Sequence, residues 1–259
     1  MKPVKILLLI AAVVFSKPTF AQSPKAIEAD LLKSFKRIGY WDQKRNDAGG
    51  DDSLENANDA FGKKLKNYTE NYAFTIKEPF TSLKKERLDI FTSADGLFRI
   101  YSWDTGGGGT MREFANVIQY KTGDKTNAVL LTGTNDIYIP FYRNLYTFKT
   151  GNKTYYLGIY GAIYSSRYAG TGIKIFAIEN DKLNQNVKLI KTQSGINSKI
   201  FYDYDFGSIA YVPYGKRPNI TFDATTKTIS IPLVAADGKV TSKFITYKFT
   251  GQYFEKVKS

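Results

Sequence analysis

Apolar residues in the first quarter of the chain recur at three- and four-residue intervals, and from about residue 87 they recur at two. Ile27, Leu31, Phe35 and Ile38 mark one face of a helix over 23–39, with Ser23 placed to cap it, Pro24 in its first turn and Gly39 at its end. Leu54, Ala57, Phe61, Leu65 and Tyr68 mark a second helix over 53–68, begun by Ser53. Between them, "YWDQKRNDAGGDDS" reads as an acidic, glycine-bearing connection, so the pair is an expected αα-hairpin. Beyond it come short runs rich in Ile, Val, Thr, Tyr and Phe, separated by turn sequences such as "SADG", "TGDK", "TGNK" and "ADGK". No long helical pattern interrupts these runs, which excludes alternating βαβ units. The expected fold is mainly β, an antiparallel meander with sandwich or barrel as alternatives, preceded by the helical hairpin. The expected segments are a leader over 1–21, the hairpin and connector over 22–80, and the β domain over 81–259.

Side chains on a strand alternate between its faces. Over 137–149 this places Ile137, Ile139, Phe141 and Leu145 on one face and Tyr138, Tyr142, Tyr146 and Phe148 on the other. Over 154–165, Tyr155, Leu157, Ile159 and Ile163 oppose Tyr156, Tyr160 and Tyr164. Matching the two tyrosine faces across a hairpin requires an odd connection or a bulge, because a two-residue Gly-Asn turn sets tyrosines beside aliphatics. Two readings follow: both faces are buried, or Tyr142, Tyr146, Tyr156 and Tyr160 form an exposed aromatic platform for sugar rings or a protein. The stretches "YKTGDKTNAVLL" and "FKTGNKTYYLGI" begin 28 residues apart and read as a repeated hairpin.

The segment "SADGLFRIYSWD", 93–104, resembles the end of a WD-type β-propeller blade, where a D-G turn precedes a strand closing on W-D. The whole chain is similar in look to uncharacterised secreted bacterial proteins of propeller-like build, so the meander is expected to be propeller-like, ahead of the sandwich or barrel. No G-H pair precedes Trp103 and no later segment repeats the signature, so the resemblance implies geometry alone. Asp104 would end an inner strand, and the following "GGGG" loop would lie on a rim.

Composition changes the picture in two ways. The chain has no cysteine and no histidine, which removes disulfides, thiolate nucleophiles, imidazole bases and the usual nitrogen and sulfur ligands of zinc. The formal charge is +13, and it becomes +10 without Lys2, Lys5 and Lys17. That balance favours acidic partners, yet only eight of the 37 basic residues are arginine, which weighs against nucleic acid. Residues 1–21 carry Lys2 and Lys5, an apolar run from Ile6 to Phe15, then Thr19 and Ala21 at the spacing of a cleavage site. The order is that of a secretory signal peptide, with an apolar run too short to span a bilayer, so a periplasmic or secreted location is expected.

No motif names a reaction. "GGGGTM" lacks both the G-K-[ST] of a phosphate loop and a G-x-G-x-x-G frame, but four glycines permit positive φ and a close approach of ligand to backbone. Asp104, Thr110, Arg112 and Glu113 flank that loop as candidate polar contacts, and the loop itself is expected to be flexible. "NDAGGDDSLE" lacks the calcium-loop frame, so Asp51 and Asp52 read as helix-start charges. Asp203 and Asp205 in "YDYDF" share a strand face, the sort of spacing a glycosidase uses. "SLKK" at 82–85 and the "KTG" triplets at 121–123 and 149–151 imitate serine β-lactamase elements in the wrong context, a charged connector and two hairpin turns.

The expectation from sequence is an exported, non-catalytic binding protein. Its target is an acidic glycan, an envelope component or a protein, and the contacts come from Tyr142, Tyr146, Tyr156, Tyr160, Asp104, Thr110 and Arg112. The alternative is a carboxylate-dependent glycoside hydrolase using Asp203 and Asp205. No cofactor, metal or transmembrane segment is expected.

Overall fold

The computed structural model describes residues 22–133 and 139–257. The leader at 1–21 and the residues Ile137 and Tyr138 of the expected tyrosine strand lie outside the described residues. Helix α1 spans Pro24–Gln43, and the Ser23 hydroxyl accepts the Ala26 amide at 3.2 Å, as its position predicts. The helix continues past Gly39, because Ile38 is buried and Trp41 packs on the same core. Helix α2 spans Gly50–Asn71 and starts earlier than Ser53; Gly49 caps it at φ 72, with Asp51 and Asp52 in the first turn. A short helix α3, Thr81–Lys85, closes the segment.

The rest is built of strands. β1 (Asp89–Thr92), β2 (Phe98–Asp104), β3 (Phe114–Thr122) and β4 (Lys125–Leu131) form a first sheet in chain order, all antiparallel. β5 (Phe141–Thr150), β6 (Lys153–Ile163) and β7 (Tyr168–Glu179) form a central sheet, with β8 (Lys182–Asn184) paired to β7. After β9 (Ile190–Thr192) and β10 (Gly195–Asn197), β11 (Lys199–Asp205) returns to pair with β7 and gives the order β11-β7-β6-β5. β12 (Thr221–Asp223), β13 (Thr228–Val234), β14 (Val240–Phe249) and β15 (Phe254–Lys256) complete a third sheet with order β10-β9-β15-β14-β13-β12, in which only β15 and β9 run parallel among the described residues. The fold is mainly β with a helical N-terminal segment.

The sheets stack face to face. Tyr101, Trp103, Ala115, Val117 and Ala128 point from the first sheet into a core shared with Leu31, Phe35, Phe61 and Leu65 of the two long helices. Its other face sends Phe98, Ile100, Ile118 and Tyr120 against Tyr142, Leu145, Tyr156, Tyr160 and Phe176 of the central sheet. The reverse of the central sheet sets Phe148, Leu157, Ile159, Ile173 and Ile175 against Ile190, Phe222, Ile229, Ile231 and Phe254 of the third. Four layers result, helices then three sheets. The outer face of the third sheet pairs Thr228 with Lys248 and Ser230 with Thr246, opposite the buried Ile229 and Ile231. Polar bonds tie the helical segment down: Arg99 donates to the carbonyls of Thr75 and Glu78, each at 2.6 Å, and Gln119 donates to the Thr69 carbonyl at 2.7 Å.

The echoed segments are matching hairpins. Thr122 pairs with Lys125 and Thr150 with Lys153, so each turn has two residues, opened by Gly123 or Gly151 at φ 55. Register in the second hairpin corrects the expected tyrosine face. Tyr142 lies opposite Tyr160 but Asn144 lies opposite Ile159, leaving Arg143 as a bulge. Beyond the bulge, side chains exchange faces. Tyr142, Tyr156 and Tyr160 therefore turn toward the first sheet, while Tyr146 packs with Phe148 toward the third.

Candidate functional site

Four-residue spacing puts Asp51, Glu55 and Asp59 on one stripe of α2. Opposite that stripe runs the glycine loop, 105–113, which joins β2 to β3. Between them lies a cleft of about 940 Å³, whose walls also include Arg45, Asn58, Met111, Glu113 and Phe114. That volume is in the range of small-ligand sites. Asp51 pairs with Arg45 at 3.4 Å and Asp59 with Lys63 at 2.9 Å; Glu55 and Glu113 make no ion pair among the described residues. The cleft is thus acidic in a chain that is basic overall.

The loop is held from both sides. Arg45 Nη1 donates to the Gly106 carbonyl at 2.7 Å, and Asn58 Nδ2 donates to the Thr105 carbonyl at 2.8 Å. Asn58 Oδ1 in turn accepts the Trp103 indole N–H at 3.1 Å, which couples the cleft wall to the core beneath. Asp104 ends β2, an inner strand; its Oδ1 accepts the Gly106 amide at 2.8 Å, and its Oδ2 accepts Arg112 Nε and Nη2 at 2.9 and 2.6 Å. Gly106, Gly108 and Gly109 have φ of 76, 75 and 60. The glycines serve backbone geometry inside a turn held from both sides.

Of the sequence-derived contact residues, Asp104 and Arg112 are brought together, and their ion pair braces the loop. Thr110 is exposed at the tip. The aromatic platform is not formed. Tyr142, Tyr156 and Tyr160 are 2%, 1% and 6% exposed, and burial pushes their hydroxyl pKa values upward. Tyr146 is half-buried, edge-on to Phe222. These rings are core because the central sheet is covered on both faces, which a face-alternation argument does not reveal.

The two carboxylates of the hydrolase reading lie on β11, where Asp203 is exposed and Asp205 is buried. Asp205 Oδ2 accepts both Nε and Nη2 of Arg167, at 3.0 and 2.9 Å, and this pairing holds its carboxyl below the usual aspartate range. A raised value suits a general acid and a lowered one a carboxylate that stays ionised, so Asp205 is held in its charged form. Among the described residues, no group of three or more Asp or Glu could hold a metal ion.

Sequence reasoning missed the α2 stripe, having read Asp51 as a helix-start charge alone; the four-residue spacing through Glu55 and Asp59 was the available signal. It also did not single out Tyr168 and Tyr211, which are exposed. No family model matches the chain, and no curated protein matches it in sequence.

Proposed function

We propose that the chain is an exported, non-catalytic binding protein, and that the cleft between α2 and the glycine loop takes a ligand bearing ammonium groups, such as an amino-sugar chain of the cell envelope. The carrying observation is the preformed acidic cleft, in which Glu55 and Glu113 lack cationic partners within the described residues. The order of basic, apolar and small residues over 1–21 supports export to the periplasm or beyond. A propeller-like arrangement is the finer form of the fold suggested by the blade-like segment 93–104, part of which forms β2 of a four-stranded antiparallel sheet.

Trp103 supplies the readout, since Asn58 joins its indole to the cleft. Titration with a glucosamine hexamer is expected to shift tryptophan emission, and the N-acetylated hexamer, which has no charge, is expected not to. The Glu55→Gln/Glu113→Gln variant should bind about tenfold more weakly, the equivalent of about 1.4 kcal/mol. Equal binding of the charged and acetylated hexamers, or an unaffected variant, overturns the assignment.

A further inference from the structure

Strand β11 is an edge of the central sheet: β7 pairs with it along its whole length, and among the described residues no strand lies beyond it. In an antiparallel pair, alternate residues exchange backbone bonds with the residue opposite, and those between turn their N–H and C=O the other way. Two bonds fix which residues do which. The Ile175 amide donates to the Ser198 carbonyl at 3.0 Å and the Phe206 amide to the Arg167 carbonyl at 2.7 Å, just before and just after the strand. Bonding to β7 therefore falls on even-numbered residues, and Lys199, Phe201, Asp203 and Asp205 direct their backbone groups outward. The Asp205 amide follows this parity, donating away from β7 to the Gly238 carbonyl at 2.9 Å. Lys199, Phe201 and Asp203 have no such backbone partner among the described residues. Their open donors and acceptors are a template for one more strand.

The side chains say which strand fits. Lys199, Phe201 and Asp203 share one face of β11. Lys199 and Asp203 are exposed, and neither has an ionic partner among the described residues. Read backwards, "KIFYD" exchanges its two charges. A second copy laid antiparallel about Phe201 sets Lys199 against Asp203 of that copy, Phe201 against Phe201, and Asp203 against Lys199. All three are pairs of outward-facing residues, so the register that matches the charges is also the one that matches the backbone bonds. A slip of one residue loses the bonds; a slip of two loses the charge pairs. Lys199 also stands opposite Lys174 of β7, whose ammonium pKa is lowered by burial and then by Lys199. A carboxylate on the open side of Lys199 offsets that repulsion.

We infer that the chain forms a two-fold dimer in which β11 pairs antiparallel with β11 of a second copy about Phe201, joining two central sheets into one. The interface is isologous and closes at two copies. A second copy is favoured over a foreign strand because the sequence that complements this edge is its own. The Phe201 ring already lies flat on Tyr160, with centroids 5.7 Å apart, so backbone bonds and charge carry the pairing and the dimer depends on concentration. The inference is independent of the acidic cleft.

Sedimentation equilibrium of the exported chain, from about 1 μM to about 1 mM, should show the mass rising from one copy to two. Asp203→Lys leaves two lysines on each edge and Lys199→Asp leaves two carboxylates, so each variant alone should self-associate about tenfold more weakly. Mixed in equal amounts, the two variants restore both opposite-charge pairs, and a mixed dimer should form with the parent's affinity. Both positions are exposed, and unchanged melting temperatures show that the loss in the single variants is not unfolding. A parent chain that stays monomeric throughout the range overturns the inference and leaves the edge to a different strand. A dimer that either variant leaves unchanged also overturns it, since the interface then lies elsewhere, and so does a mixture that fails to recover association.

Discussion

Gly108 sits at φ 75, and a Cβ built there would collide with the Met111 carbonyl; at Gly109, φ is 60 and the space is open. Gly109→Ala therefore incurs backbone strain alone, about 1 to 2 kcal/mol, whereas Gly108→Ala adds a clash with fixed backbone and is expected to cost more, in side-by-side denaturation curves. The glycine run was legible as a loop, but its bracing was not, since Arg45 reaches Gly106 from 61 residues away. A second residue-level expectation concerns pH. Asp205 titrates below its ordinary value because of Arg167, so its contribution is present above the usual aspartate range and is lost as pH falls through the lowered value. Carboxyl NMR should show Asp205 titrating below about 3.9, and Arg167→Ala should raise that midpoint and flatten the acid limb of the stability curve.

Strands β6 and β7 carry glycines where their neighbours carry rings. A Cβ on Gly158 would meet the Tyr142 ring, one on Gly161 the Phe141 ring, and one on Gly170 the Phe201 ring. On Gly172 it would meet both Tyr160 and the Ile200 carbonyl, at 2.5 and 2.6 Å. Each missing side chain makes room for an aromatic ring lying across the strand, which is how so many rings fit between three sheets. Gly172→Ala should destabilise by about 1 to 3 kcal/mol through overpacking, measured by chemical denaturation. Alternation along "YYLGIYGAIY" was legible in the sequence, and so was the hairpin repeat. The bulge at Arg143 was anticipated only as one of two ways to match tyrosine faces; with a two-residue turn at the far end of the hairpin, it separates Tyr142 from Tyr146.

For the whole molecule, fold class was legible from the change of period near residue 87, and the layering was not. β2 and β3 are buried on both faces, so the in-out alternation that betrays a two-layer protein is absent from them. The expected boundary near residue 80 is crossed by one core, in which Phe61 of α2 meets Trp103 edge-on at 5.1 Å. Helical circular dichroism and Trp103 fluorescence should therefore be lost in a single transition, and Trp103→Ala should cost about 3 to 5 kcal/mol. Two separate transitions would show that helices and sheets are independent.

The stack has a direction: helices cover one end, and the other ends in the polar face of Thr228, Ser230, Thr246 and Lys248. A sheet added beyond that face would meet mostly hydroxyls and a lysine, with Phe244 and Pro232 as its apolar contact, while one inserted inside would find apolar surface on either side. Such an architecture lengthens from its middle, by copying a hairpin there. The twin turns at Gly123 and Gly151, which close adjoining sheets, stand where such a copy would be.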